Sequence, residues 1–317
     1  MSLAQKSPTA DPLGGSDLAF TFVQALASEL SGGKIELPGF PHIVMRVQKV
    51  LGDENSDASR VVKVLGSEPV LASQMVRMAN SAALNPARVR VTDLRAAVAR
   101  VGLDTVRSAT IAFAMRQLRD APSLKGLEAP LGTLWRRSVL VAGLSCVIAR
   151  KLTNINPDTA LLAGLLQGIG RLYILTRASS HRALFADQAT YQSIEQDWHL
   201  SIAAALLENW GIADEIVQAV HESENFERET RGPLNLTDVL VVGTILAEHH
   251  NQPQALHAQV HCAKPLQKLR LDARACEAFI TESAADIDSL REALGSLQRH
   301  SSSGRRKTTM PACCSGG

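Results

Sequence analysis

The stretch Ala160–Leu175, ALLAGLLQGIGRLYIL, decides the fold. Apart from its glycines, only Gln167, Arg171 and Tyr173 interrupt an apolar run. A helix that is apolar on every side has to be buried, because a surface helix keeps one polar face. The run is glycine-broken and shorter than the roughly 20 apolar residues of a membrane span. It reads as the central helix of a soluble helical domain. Gln167, Gly168 and Arg171 are the residues in it that require an explanation.

Working outward, the chain divides into short helices with their own start and stop residues. Residues 1–16 are rich in Ser, Pro and Gly and are expected to lack structure. Ser16 or Asp17 caps a helix carrying Phe22, Val23, Leu26 and Leu30, and Gly32-Gly33 ends it. Leu37-Pro38-Gly39-Phe40-Pro41 is a rigid entry to a helix with Ile43, Val44, Val47, Val50 and Leu51 on one face. Ser56 caps a short helix that stops at Gly66, and Pro69 opens the next, with Leu71, Met75, Val76 and Met78 buried. Thr92 begins a helix that ends at Gly102, and Asp104 opens a longer one through Leu118.

A Pro/Gly break over 121–132 precedes a second block. Its helices are expected at 134–152, from Pro157, and at 180–189, 194–210, 213–221, 236–250 and 273–294, with a loop over 230–235. Alternating strand patterns and fixed-period repeats are missing from the sequence. The fold expected is all-α in two helical lobes, about 17–121 and about 131–296, with unstructured ends at 1–16 and 297–317.

Composition narrows the function. Among 317 residues, 45% are hydrophobic and 20% charged, with a formal net charge of +2. That balance lacks the strongly basic footprint of a nucleic-acid binder. Aromatic residues at 4% leave few platforms for stacking bases. The five cysteines, Cys146, Cys262, Cys276, Cys313 and Cys314, form no CxxC pair, so zinc spacing is missing. The N-terminus has no apolar core of signal-peptide length, which favours a reduced cytoplasmic setting and no membrane. No metal or other cofactor is expected.

Several separated motifs resemble the HDOD family. They are Leu37-Pro38, Ser67-Glu68-Pro69-Val70-Leu71, Arg77-Met78-Ala79-Asn80-Ser81-Ala82 and Ala97-Val98-Ala99-Arg100-Val101-Gly102. The second half adds Leu134-Trp135-Arg136-Arg137-Ser138 and Ala163-Gly164-Leu165-Leu166-Gln167-Gly168-Ile169-Gly170. His199, Leu206-Leu207-Glu208-Asn209-Trp210-Gly211 and Ala219-Val220-His221 follow in the family's order. The resemblance spans about 35–296. It implies a relative of HD metal-dependent phosphohydrolases that serves as a signalling output module, with a second lobe resembling an HD bundle.

The resemblance also implies what has been lost. HD hydrolases carry a His near Arg137 and a His-Asp pair where Gln167-Gly168 stand, and these hold the metals that activate water. Arg and Gly cannot ligate a metal, and Gln is a poor neutral ligand. The expectation is therefore a non-catalytic regulatory module without enzyme activity. Its partners would be signalling proteins supplied in trans, from cyclic-di-GMP or two-component systems, and no nucleic acid.

Arg137 falls on the helix face of Leu134, Val141, Leu144 and Ile148, so its charge needs a partner. Glu208 or Asp158 could supply it, or Arg137 and Arg171 could hold a phosphate or nucleotide where the metals were. In that sensor reading Gln167, His199 and His221 border the ligand; structural histidines are the plainer reading. A residual metal-dependent phosphodiesterase is the third alternative. Pro38, Pro69, Asn80, Ser81, Gly102 and Trp210 read as structural positions, with Asn80 a left-handed cap that locks the first lobe.

Overall fold

The computed structural model describes residues 13–32, 42–53, 57–81, 84–85, 87–119, 121–179, 181, 184, 187–229 and 232–294. Within them the chain is helical with no strand. The first helices are α1 (Leu13–Ser31), α2 (His42–Leu51), α3 (Ala58–Gly66), α4 (Pro69–Ala79) and α5 (Leu94–Arg119). The second block comprises α6 (Glu128–Leu152), α7 (Pro157–Leu166), α8 (Ile169–Ala178), α9 (Gln188–Asn209), α10 (Asp214–His221) and α11 (Leu236–His249). α12 (Pro253–Cys262), α13 (Lys264–Lys268) and α14 (Ala273–Leu294) complete it.

Several boundaries differ from the sequence reading for identifiable reasons. α1 begins at Leu13, inside the stretch expected to be unstructured. Asp57 caps α3, its carboxylate accepting from the Arg60 N–H, whereas Ser56 lies outside the described residues. Asp93 rather than Thr92 leads into α5, accepting from the Ala96 N–H at 2.8 Å. α6 starts at Glu128, well before Leu134, so the interlobe break shrinks to a short 3-10 turn at Pro122–Leu124. α12 and α13 escaped the sequence reading because they are brief and weakly patterned, each opened by a proline. The expected 180–189 helix lies largely outside the described residues, as do Pro38, residues 1–12 and 295–317.

The apolar stretch is two helices, not one. Gln167 and Gly168 form a turn between α7 and α8. Asn156 caps α7, accepting from the Asp158 N–H at 2.8 Å, and Pro157 occupies its first position. Leu161, Leu162, Leu165, Leu166 and Ile169 are all buried. α7 packs along α6 closely enough that a Cβ on Gly164 would stand 2.4 Å from the Ala142 Cα. Only glycine permits that approach, which is why the run reads A-G-L-L rather than a leucine zipper pattern. By length and composition, Glu128–Leu152 and the run Pro157–Ala178, taken across the Gln167-Gly168 turn, are both apolar enough to cross a membrane, contrary to the reading of the second as too short. Their apolar windows are 72% and 89% buried inside the fold, as in the core helices of a soluble protein.

The remaining elements wrap this centre. α2, α3 and α4 pack on α5, and α5 packs on α7. Gly102, with φ 79°, breaks α5 into the two helices the sequence suggested. α1, expected with the first lobe, lies instead on α9. There Tyr173 donates to Glu29, Arg177 pairs with Glu29 at 2.7 Å, and Phe22 meets the His181 ring edge-on. Burial and the Glu29 bond push the Tyr173 hydroxyl up to about 12.

Candidate functional site

Five elements bring charged groups together beside the α7–α8 turn. Arg137 comes from α6, Arg171 from the first turn of α8, and Glu195 and His199 from α9. Glu248 ends α11, and Glu224 sits in the turn after α10. Glu224 is the hub. Arg171 grips it with two parallel bonds, Nη1 to Oε1 at 2.8 Å and Nη2 to Oε2 at 3.0 Å. This fork is the strongest geometry open to a guanidinium. Arg137 Nη2 donates to Glu224 Oε1 at 2.9 Å and to Glu248 Oε1 at 2.6 Å. Arg171 Nε donates to Glu195 Oε1 at 2.9 Å.

His199 is buried against the same hub. Its Nδ1 faces the Glu195 carbonyl at 2.7 Å, an acceptor, so Nδ1 carries a proton. Nε2 stands 3.2 Å from Glu224 Oε2, close but outside hydrogen-bond geometry. Burial alone would raise the Glu224 carboxyl. Contact with His199 and Arg171 outweighs it and holds the group well below the usual carboxylate range. For Arg171, burial opposes the charge, yet Glu224 and Glu195 win and raise it further.

The partners of Arg137 are therefore Glu224 and Glu248, not Glu208 or Asp158. Glu208 borders a separate small cleft with His221. His221 is exposed at the end of α10 and does not join the group. Three glutamates carry the site that sequence reasoning did not name. Glu195 left a signal, standing four residues before His199 on one helix face. Glu248 left another, as the one acid of an otherwise apolar α11 beyond its first turn. Glu224 left none, since HESENFERET is polar throughout.

Whether a metal fits can be judged from the donor set. Gln167 is wholly buried, and neither amide atom has a partner. A Cβ on Gly168 would stand 2.5 Å from Ser138 Oγ, so the carboxylate of an HD pair could enter only if Ser138 rotated. The carboxylates and imidazole nearby already face two guanidiniums, whose charge opposes a cation. Among the described residues no group of three His, Cys, Asp or Glu is disposed to hold an ion. The residues present do not fit a dinuclear metal centre.

A cavity of about 520 Å³ opens beside the charged group, bordered by Arg137, Arg171, Tyr191 and Glu195. The family model for the HDOD domain matches residues 37–226. This chain belongs to the HDOD family. Solved structures with the same fold include a candidate metal-dependent phosphohydrolase from Shewanella amazonensis SB2B, at TM-score 0.66 and 22% identity, covering 86% of this chain and 99% of that one. An HDOD domain protein of unknown function from Geobacter sulfurreducens follows at TM-score 0.57 and 23% identity, covering 85% and 96%. A candidate signal transduction protein from Marinobacter aquaeolei VT8 gives TM-score 0.55 at 22% identity, covering 90% of this chain and 67% of that one. No curated protein matches the chain.

The other HDOD motif positions have structural tasks. Pro69 opens α4, and Ser81 Oγ donates to the Met78 carbonyl at 2.8 Å. Trp210 closes α9 while 8% exposed, with Gly211 at φ 66° turning the chain away. Asn80 caps α4 at φ −100°, so the left-handed cap expected from sequence is not used. It acts through its amide instead, donating to the Val76 and Val91 carbonyls at 2.9 and 2.7 Å and accepting from the Val91 N–H at 2.8 Å.

Proposed function

We propose that this HDOD protein is a non-catalytic regulatory module that works through contacts with signalling proteins in the bacterial cytoplasm. One observation carries the reading. The place where an HD hydrolase keeps its metals holds Arg137 and Arg171, locked to Glu195, Glu224 and Glu248. Hydrolysis of a phosphoester by HD enzymes depends on metal-activated water. What the network does supply is rigidity. It ties α6, α8, α9, α11 and the α10 turn into one body, a suitable frame for presenting helix faces to partners.

The test pairs elemental analysis of the purified chain with a bis-p-nitrophenyl phosphate assay in added manganese. The expected outcome is no stoichiometric Fe, Mn or Zn and no turnover above buffer. One tightly held metal equivalent together with turnover would overturn the proposal.

A second reading, a sensor for a phosphate ligand, is favoured by the cavity of about 520 Å³ that touches both arginines. Against it, two guanidiniums there face three carboxylates, leaving no surplus positive charge. Arg137→Ala distinguishes the two readings. It abolishes ligand binding in a sensor and chiefly lowers stability in a frame.

A further inference from the structure

A second arginine-bearing region lies far from this network in sequence and chemistry. Between the end of α4 and the start of α5 is an open cleft of about 1110 Å³. Arg77, Arg88 and Arg90 line it, along with Thr92, Asn80 and Val91. Among the described residues that line it there is no carboxylate. Among the described residues, none of the three guanidiniums is engaged in an ion pair or hydrogen bond. Asp288 and Glu292 border Arg77 from another side, and Asp288 is already paired with Arg291 at 3.2 Å.

The cleft is held in place rather than draped. Asn80 clamps Val91 to the end of α4 from both sides of its peptide. Asn85, 8% exposed, repeats the device on Val89, donating to its carbonyl at 3.0 Å and accepting from its N–H at 3.2 Å. Arg100 also donates to the Val89 carbonyl from α5. These bonds fix both residues that flank Arg90. Arg88 adopts φ 53°, a left-handed conformation that side-chain-bearing residues seldom take without support. The loop therefore spends its hydrogen bonds on presenting Arg88 and Arg90, whose guanidiniums have no partner among the described residues.

We propose that this cleft binds a small molecule carrying two or more phosphates. Unpaired arginines recognise phosphate oxygens through forked donors, and several at one cleft favour several charges on one ligand. At about 1110 Å³ the open cleft is a little larger than the roughly 300–1,000 Å³ of common small-molecule sites, so a compact ligand has room in it. Among the described residues no aromatic side chain lines the cleft to stack bases, which argues against single-stranded nucleic acid. The site is independent of the emptied metal position and of the regulatory reading built on it.

Calorimetry on the full chain with sodium tripolyphosphate tests this, with orthophosphate and a short single-stranded oligonucleotide as comparisons. The expected result is saturable binding of one tripolyphosphate per chain, tighter than orthophosphate and weakened by salt. Arg88→Ala with Arg90→Ala should weaken it about tenfold or more, and Arg136→Ala on the exposed face of α6 should leave it unchanged. If the double variant melts early, Arg77→Gln on the regular surface of α4 carries the same expectation. Absence of saturation at millimolar tripolyphosphate, equal binding by the arginine variants, or tighter binding of the oligonucleotide would each overturn the proposal.

Discussion

Two regions of this molecule are rich in arginine, and they are opposites. Arg137 and Arg171 sit among helices with every charge matched by a glutamate. Arg77, Arg88 and Arg90 line a cleft with no acid among its described lining residues. Burial explains the difference. A guanidinium taken out of water needs a carboxylate beside it, whereas one at a solvent-filled cleft can wait for a ligand. A charge that has found its partner serves the fold, and one that has not is free to serve recognition.

The comparison breaks most visibly at Glu224. Glu224→Ala strips the hub from Arg137, Arg171 and His199, leaving Arg137 with Glu248 alone and Arg171 with Glu195 alone. It should cost about 3–5 kcal/mol of stability, read as a shift in the urea midpoint. A loss below about 1 kcal/mol would mean the network is ornamental.

Next in size is Gly170→Ala. Its new Cβ would lie 1.8 Å from the His199 carbonyl oxygen, forcing α8 away from α9. About 1–3 kcal/mol of destabilisation is expected in the same measurement.

Acid sharpens the contrast further. Because the Glu224 carboxyl is lowered in the folded chain, its contribution is complete above the ordinary glutamate value of roughly 4.3. It drains away as pH falls below that, since the unfolded chain then binds the proton more readily. The parent chain should therefore lose more stability between about pH 5 and pH 3 than Glu224→Gln, as judged by urea midpoints at each pH.

The smallest effect belongs to the other region. Arg88→Ala with Arg90→Ala should change stability by no more than about 0.5 kcal/mol, because neither side chain supports the fold. A larger change in thermal midpoint would place those arginines with the first group.

The sequence made the helical class legible because burial is written in periodicity. Ile43, Val44 and Val47 on α2, and Leu161 through Ile169 about the α7–α8 turn, are as buried as their pattern demands. The division at Gln167-Gly168 was hidden, because an apolar run looks the same with or without a turn. The arginines Arg137 and Arg171 stood out as charges on apolar faces, but their partners did not. Glu224 is far from both in sequence and lies in a polar turn, so only folding brings it near. The open cleft was invisible for a different reason. A net charge of +2 averages over the chain and erases any local surplus.

α14 reaches back across the whole molecule. It packs on α6 and on α4, and Gln74 Nε2 donates to the Leu294 carbonyl, 220 residues away, at 3.4 Å. During synthesis, α4 emerges long before the helix that covers it exists. Until residues 273–294 leave the ribosome, Gln74 and its side of α4 lack that contact. The first lobe therefore completes its packing only after the last described helix has been made.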